Sequence, residues 1–207
     1  MNWKGLFLKL GGQMCCRYYF SDKAAYKVEG DLKLTKGALA TRAGDITPGM
    51  ATPGIIWNKG TNEDLALEDL FWGITSKDRK LIINARAESV TKKSMFADSI
   101  RNRRCILPAA GFYEWDASKT KFRFKRADEK PIYLAGFYDL SDNKDSFVIL
   151  TTAANASMKP VHDRMPVMID TGNVRDYLKD PAAALEMIKE PMPELERGSD
   201  YEQLSLF

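Results

Sequence analysis

Apolar positions in this chain fall in short runs that stop at turn formers or alternate with polar residues, which is strand-like rather than helix-like periodicity. IIW (55–57), LFWGI (70–74) and LIINA (81–85) each read as a short strand. Further on, CILPAAGFYEW (105–115), KFRFKR (121–126), PIYLAGFYDL (131–140) and SFVILTTAA (146–154) follow one another, with turn formers Asp128, Asp142 and Asn143 between them. That half predicts an antiparallel meander. Two helices interrupt the pattern. Ser94 is the expected cap of one that runs through Met95, Phe96 and Ile100, and Asp180 before Pro181 signals another, carried by Ala183, Leu185, Met187 and Ile188 to about residue 190. The elements predict an α+β fold: a single domain around a central, largely antiparallel sheet, curved or barrel-like, with a few flanking helices.

With 207 residues the chain is long enough to bury a sizeable core without metals or disulfides. Residues 1–13 read as a leader or a mis-assigned start, 14–190 as the domain, and 191–207 as a polar, proline-led tail. The net charge of +3 permits a nucleic-acid partner without announcing one, so a basic site has to be a local patch. Three cysteines, two of them adjacent, make no disulfide framework and fit a reducing cytoplasm. The opening residues lack the small-residue cleavage site of a signal peptide, and no run approaches the roughly 18 apolar residues a membrane span needs.

Candidate chemistry is sparse. The single histidine, His162, lies in a polar cluster with Asp163 and Arg164 between two apolar segments, where charges are costly unless paired or used. With one histidine and cysteines only at 15, 16 and 105, no common zinc spacing exists, so the expectation is no metal and no cofactor. Glu114 stands among Phe112, Tyr113 and Trp115, a setting that can hold the proton of a general acid, or equally a solvated strand position. Asn84 and Arg86 project to one side of an extended strand and suit a phosphate or a surface ion pair. Cys105 reads as a small buried apolar side chain.

Taken in order, MC-R at 14–17, a Thr-Pro-Gly turn, FWG, INARAE, FYEW and HDRMP resemble the SRAP domain, the family of SOS-response-associated peptidases and abasic-site-processing proteins. The resemblance runs from Met14 to about Asp180. It implies that Cys15 is the nucleophile once it becomes the N-terminal residue, either because translation starts at Met14 or because a leader is released autoproteolytically. It further implies covalent capture of an abasic site in single-stranded DNA as a thiazolidine, with Glu114 as general acid and base and His162 assisting Schiff-base chemistry. Arg17, Asn84, Arg86, Asp45, Trp72 and Arg164 would contact the DNA.

Three departures from the family pattern touch DNA binding. Cys16 stands where glycine is usual, Asp45 where asparagine is expected, and the aromatic insertion after Trp-Gly is missing, which leaves Trp72 as the base-contacting aromatic and Lys77, Arg79 and Lys80 as candidate phosphate contacts. The last residues, QLSLF, resemble the pentapeptide that docks on the bacterial replication sliding clamp, with Gln203, Leu204, Leu206 and Phe207 as anchors. The expectation is thus a monomeric DNA crosslinker at the bacterial nucleoid or replication fork, with no membrane association. The rivals are a cysteine peptidase acting on other proteins and a non-catalytic DNA-binding adaptor held at the clamp.

Overall fold

The computed structural model describes residues 16–39, 43–58, 60, 64–76, 78–140 and 144–199. Alternation along RYYF gives strand β1 (Arg17–Phe20) a buried face, Tyr18 and Phe20, and a partly exposed face, Arg17 and Tyr19. Helix α1 (Asp22–Leu32) follows at once. Ser21 caps it by accepting from the Ala24 N–H, and Ala24, Ala25, Val28 and Leu32 form its buried stripe.

Two sheets make up the body. In the five-stranded sheet, β1 lies between β2 (Gly44–Ile46) and β9 (Gly111–Trp115), and β9 pairs with β10 (Lys121–Lys125), all antiparallel. The larger sheet contains β3 (Ala51–Trp57), β4 (Leu65–Trp72), β7 (Asn84–Arg86), β8 (Arg104–Ala109), β11 (Ile132–Asp139), β12 (Ser146–Ala153) and β13 (Arg164–Pro166). The pairings β11 to β8, β8 to β3, β3 to β4, β4 to β12 and β12 to β11 close five of these strands into a ring. The expected barrel-like sheet is therefore present, and antiparallel apart from the pairings of β12 with β4 and β7. β5 (Ile74–Thr75) and β6 (Leu81–Ile82) form a small ribbon beside it.

The continuous apolar stretch CILPAAGFYEW is a corner rather than one strand. β8 belongs to the large sheet and β9 to the small one, with Ala110 between them. Gly111 makes the corner possible: a Cβ there would run into the Phe124 carbonyl oxygen and the ring of Tyr19. Because β10 and β11 also lie in different sheets, the expected meander is replaced by two antiparallel hairpins on separate sheets.

Helix α2 (Ser94–Asn102) begins one residue earlier than expected. Ser94 is its first helical residue, and Lys93 holds the cap position without a side-chain hydrogen bond. A further helix, α3 (Val174–Lys179), leads into α4 (Pro181–Met187), where Asp180 accepts from the Ala182 and Ala183 N–H groups as a cap should. The segment expected to be a tail enters the fold: Leu195 is buried and β14 (Glu196–Ser199) pairs with β10 at the edge of the small sheet. Burying Leu195 and adding a ladder to β10 favours docking over a free tail.

Candidate functional site

Strand register sets the first half of the site. Arg17 pairs with Tyr113 across β1 and β9, which carries Cys16 toward Glu114. Glu114 is only 3% exposed, on the inner face of β9 with Phe112, and its Oε1 accepts from the Trp115 N–H at 3.3 Å. The Cys16 thiol is half-buried against the core, and burial, followed by the nearby Glu114 carboxylate, pushes its pKa up to about 11. Cys16 is therefore a protonated packing group at neutral pH. Its side chain packs in part against the core.

Outside the same sheet, the Arg17 guanidinium lies 5.7 Å from the centre of the Trp115 ring and 3.5 Å from Asp45. The carboxylate at 45 thus accompanies Arg17 and offsets part of its charge. Tyr19 and Tyr113 lean together at 5.2 Å, and Lys121 sits 4.3 Å above Tyr113.

Trp72 corrects the sequence expectation. It is fully buried, 5.2 Å from Tyr18 and stacked at 5.8 Å on Phe147, and its Nε1–H donates to the Ile83 carbonyl at 3.1 Å. An indole enclosed on both sides cannot meet a base, so it is not a DNA contact. Its position is informative nonetheless. One side chain ties Tyr18, which follows Arg17, to Ile83, which precedes Asn84, and so fixes the ends of β1 and β7 relative to each other.

Along β7 the alternation holds: Ala85 is buried, Asn84 half-buried and Arg86 exposed, with β12 alongside through Asn84–Ile149 and Arg86–Thr151. A 3₁₀ turn at Ala87–Lys92 then delivers Glu88, whose carboxylate receives both Nη groups of Arg164 at 2.6 and 2.8 Å. Arg164 also donates to the Thr151 carbonyl at 2.7 Å. Its guanidinium is committed within the protein, which argues against the DNA contact expected of it. The Arg164 main-chain N–H donates to His162 Nδ1 at 3.0 Å, and burial holds the histidine pKa below its ordinary value, the positive Arg164 adding to the effect against Asp163.

Glu88 closes the INARAE motif, but nothing local in the sequence gives it a role. Its partner lies 76 residues away, and only the fold brings the two together. Cys105 is fully buried, with its thiol pKa raised by burial, as its apolar setting suggested. Arg79 and Lys80 lie in the turn between β5 and β6. Cys15, Lys77, Gln203, Leu204, Leu206 and Phe207 lie outside the described residues. Among the described residues no cluster of His, Cys, Asp and Glu could hold a metal ion, and no helix is long and apolar enough to cross a membrane.

Over most of its length the chain also matches one family. The family model described as SOS response associated peptidase (SRAP) fits residues 14–201. The chain belongs to that family. It is 37% identical to the abasic site processing protein YoaM of Bacillus subtilis over 138 residues, 59% of this chain and 60% of the relative. With the abasic site processing protein YedK of Escherichia coli the identity is 30% over 134 residues, 60% of each chain. The matches thus span about three fifths of these relatives' length. In fold the chain resembles a crystal structure from Bordetella bronchiseptica, with a TM-score of 0.74 at 22% identity, covering 89% of this chain and 99% of the other. A Bacteroides thetaiotaomicron protein gives 0.71 at 23% identity, covering 89% and 91%.

Proposed function

We propose that this protein captures abasic sites in single-stranded DNA covalently, through Cys15 as an N-terminal residue. The observation that carries the reading is the buried Glu114 carboxylate beside Cys16, the residue that follows Cys15 in the sequence. The family match that opens at residue 14 supports the same nucleophile.

The chemistry follows from the residue types. A ring-opened abasic sugar exposes an aldehyde. The α-amine of Cys15, with an ordinary pKa of about 7.7 to 8.0, is partly free base near neutrality and adds to the aldehyde carbon. The carbinolamine loses one water to give a Schiff base. The Cys15 sulfur then adds to the imine carbon while its proton passes to the nitrogen, closing a thiazolidine. Closure removes the iminium that would drive β-elimination and strand cleavage. Glu114 delivers and accepts protons during ring opening and dehydration, and His162 serves the Schiff-base steps and their reversal. Arg17, Asn84 and Arg86 hold the flanking phosphates.

An amide nitrogen cannot form a Schiff base, so a chain that keeps any residue before Cys15 is inactive until the peptide bond between 14 and 15 is hydrolysed, whether that releases a leader or only an initiating Met14. Autoproteolysis at that bond fits the same constellation. A peptidase acting on other proteins would in addition need a groove for a separate peptide and turnover on that substrate.

The test is the intact mass of protein produced from Met14 after incubation with a single-stranded oligonucleotide carrying one abasic site. The expected product is protein without Met14 plus DNA minus one water, absent in Cys15→Ala. No adduct from protein that has lost Met14 would overturn the proposal. For the C-terminal segment, the QLSLF sequence beyond β14 favours docking on a bacterial sliding clamp, which would bring capture to the replication fork. Deleting Gln203 to Phe207 should abolish clamp binding while leaving the thermal midpoint in place; unchanged clamp affinity would sink that reading.

A further inference from the structure

We propose that Glu88 is a positioning residue which, through its ion pair with Arg164, holds His162 as the neutral tautomer carrying its proton on Nε2. The functional consequence rests on the capture reading above; the tautomer itself does not.

One hydrogen bond selects the tautomer. A ring nitrogen that accepts from a backbone N–H carries no proton, and His162 Nδ1 accepts from the Arg164 N–H at 3.0 Å. The single proton of a neutral imidazole is then on Nε2. Protonating Nδ1 would set two N–H groups against each other and place a second cation beside Arg164. Asp163 opposes this only weakly, because its carboxylate is largely exposed and shared with Lys159 at 3.3 Å.

The bond survives only if residue 164 keeps its place, and residue 164 is the first residue of a three-residue strand. Strand ends fray, and here the ladder to β12 begins at the Ala153–Arg164 pair. The guanidinium adds a side-chain restraint to the backbone bond from the Ala154 N–H to the Asp163 carbonyl, which extends this edge of the pairing by one step. It is anchored to both oxygens of Glu88 and to the Thr151 carbonyl, on the turn after β7 and on β12 respectively. A planar fork fixed at two carboxylate oxygens restrains orientation as well as distance. Glu88 thus places the backbone donor that selects the histidine tautomer, and its charge offsets the cation nearest the ring.

With Nδ1 occupied, the nitrogen left for substrate is Nε2–H, which can only donate. His162 therefore enters the reaction as a neutral hydrogen-bond donor to a developing oxygen or nitrogen charge. It does not enter as a free base, and it keeps this state below the ordinary histidine pKa.

Because the chain has one histidine, a long-range proton–nitrogen correlation spectrum of uniformly ¹⁵N-labelled protein reports this ring without ambiguity. The wild-type spectrum should show Nδ1 unprotonated and Nε2 protonated. In Glu88→Gln, and independently in Arg164→Lys, the two nitrogen shifts should move toward each other as the tautomers mix. The rate of adduct formation should fall roughly two- to tenfold, the equivalent of one neutral hydrogen bond. A wild-type ring protonated on Nδ1, or variant spectra identical to wild type, would overturn the proposal. If the ring behaves as described but no Cys15 adduct forms on abasic DNA, the positioning role stands and the capture reading falls. An adduct formed by a protein whose Nδ1 is protonated leaves capture standing and removes the positioning role.

Discussion

Glu114 lies beside Cys16, the neighbour in sequence of the proposed nucleophile, and Glu88 pairs with Arg164, two residues after His162, yet their surroundings differ in kind. Glu114 is 3% exposed, with apolar Phe112 on the same strand face and a protonated thiol nearby. Glu88 leaves half of its side chain in solvent and spends its charge on a bidentate pair with Arg164, which holds its pKa below the ordinary carboxylate value. A buried carboxylate that is not forked to arginine can take up or give a proton as the reaction changes the charge around it. A carboxylate forked to arginine is locked in one state and can only hold geometry. On the proposals above, the same residue type would carry protons in one place and anchor geometry in the other.

That contrast is sharpest in the rate of adduct formation. Glu114→Gln removes the proposed proton carrier but keeps the volume, and it should slow the proposed capture by about 10²- to 10⁴-fold, the usual range for general acid–base groups. A time course of crosslinking under single-turnover conditions measures this. Comparable losses from Glu114→Gln and Glu88→Gln would erase the distinction.

Next comes the element that joins the two regions. Trp72→Ala removes a fully buried indole between Tyr18 and Phe147 and should destabilise the fold by about 3–5 kcal/mol. Urea denaturation followed by far-ultraviolet dichroism reads it. Trp72→Phe should cost less, because only the bond to Ile83 and part of the volume are lost. If Trp72→Ala were fully stable and weakened only DNA binding, the indole would be a DNA contact after all.

A smaller effect separates the exposed arginine from the committed one. Arg86→Ala should lower affinity for single-stranded DNA and reduce the slope of log affinity against log salt by about 0.7, the value for one phosphate contact on a single strand. Arg164→Ala should leave the slope unchanged. Fluorescence anisotropy across a salt series distinguishes them.

The smallest is a pH dependence. The folded pKa of His162 lies below 6.5, so between the two values the unfolded chain binds a proton that the folded chain does not. Stability is full above about 6.5 and declines as pH is lowered through that window. His162→Gln should remove this part of the slope in denaturation curves measured at successive pH values. An identical slope in the variant would show that the ring is not held neutral.

Much of the fold is legible in the chain. Strand positions, the Asp180 cap, the burial of Cys105 and the sidedness of Asn84 and Arg86 follow from local periodicity and capping chemistry, which neighbouring residues set by themselves. Helix α1 is not, because its buried stripe is mostly alanine and valine amid charged residues, a weak apolar signal. Trp72 misleads because FWG looks the same whether its aromatic faces water or a core. The strand at Glu196–Ser199 resembles a tail because ERGS has no apolar alternation, and only the open edge of β10 recruits it.

Residue types alone establish which chemistry is available: one thiol-amine candidate at Cys15, one carboxyl among aromatics, one histidine and no common zinc-ligand spacing. How each is used depends on the tertiary fold. Burial is set by what covers a strand from other parts of the chain, and an ion pair between residues 88 and 164 requires two segments to meet in space. Local propensity carries no information about either, so the roles of Trp72, Arg164 and Glu88 exist only in the folded chain.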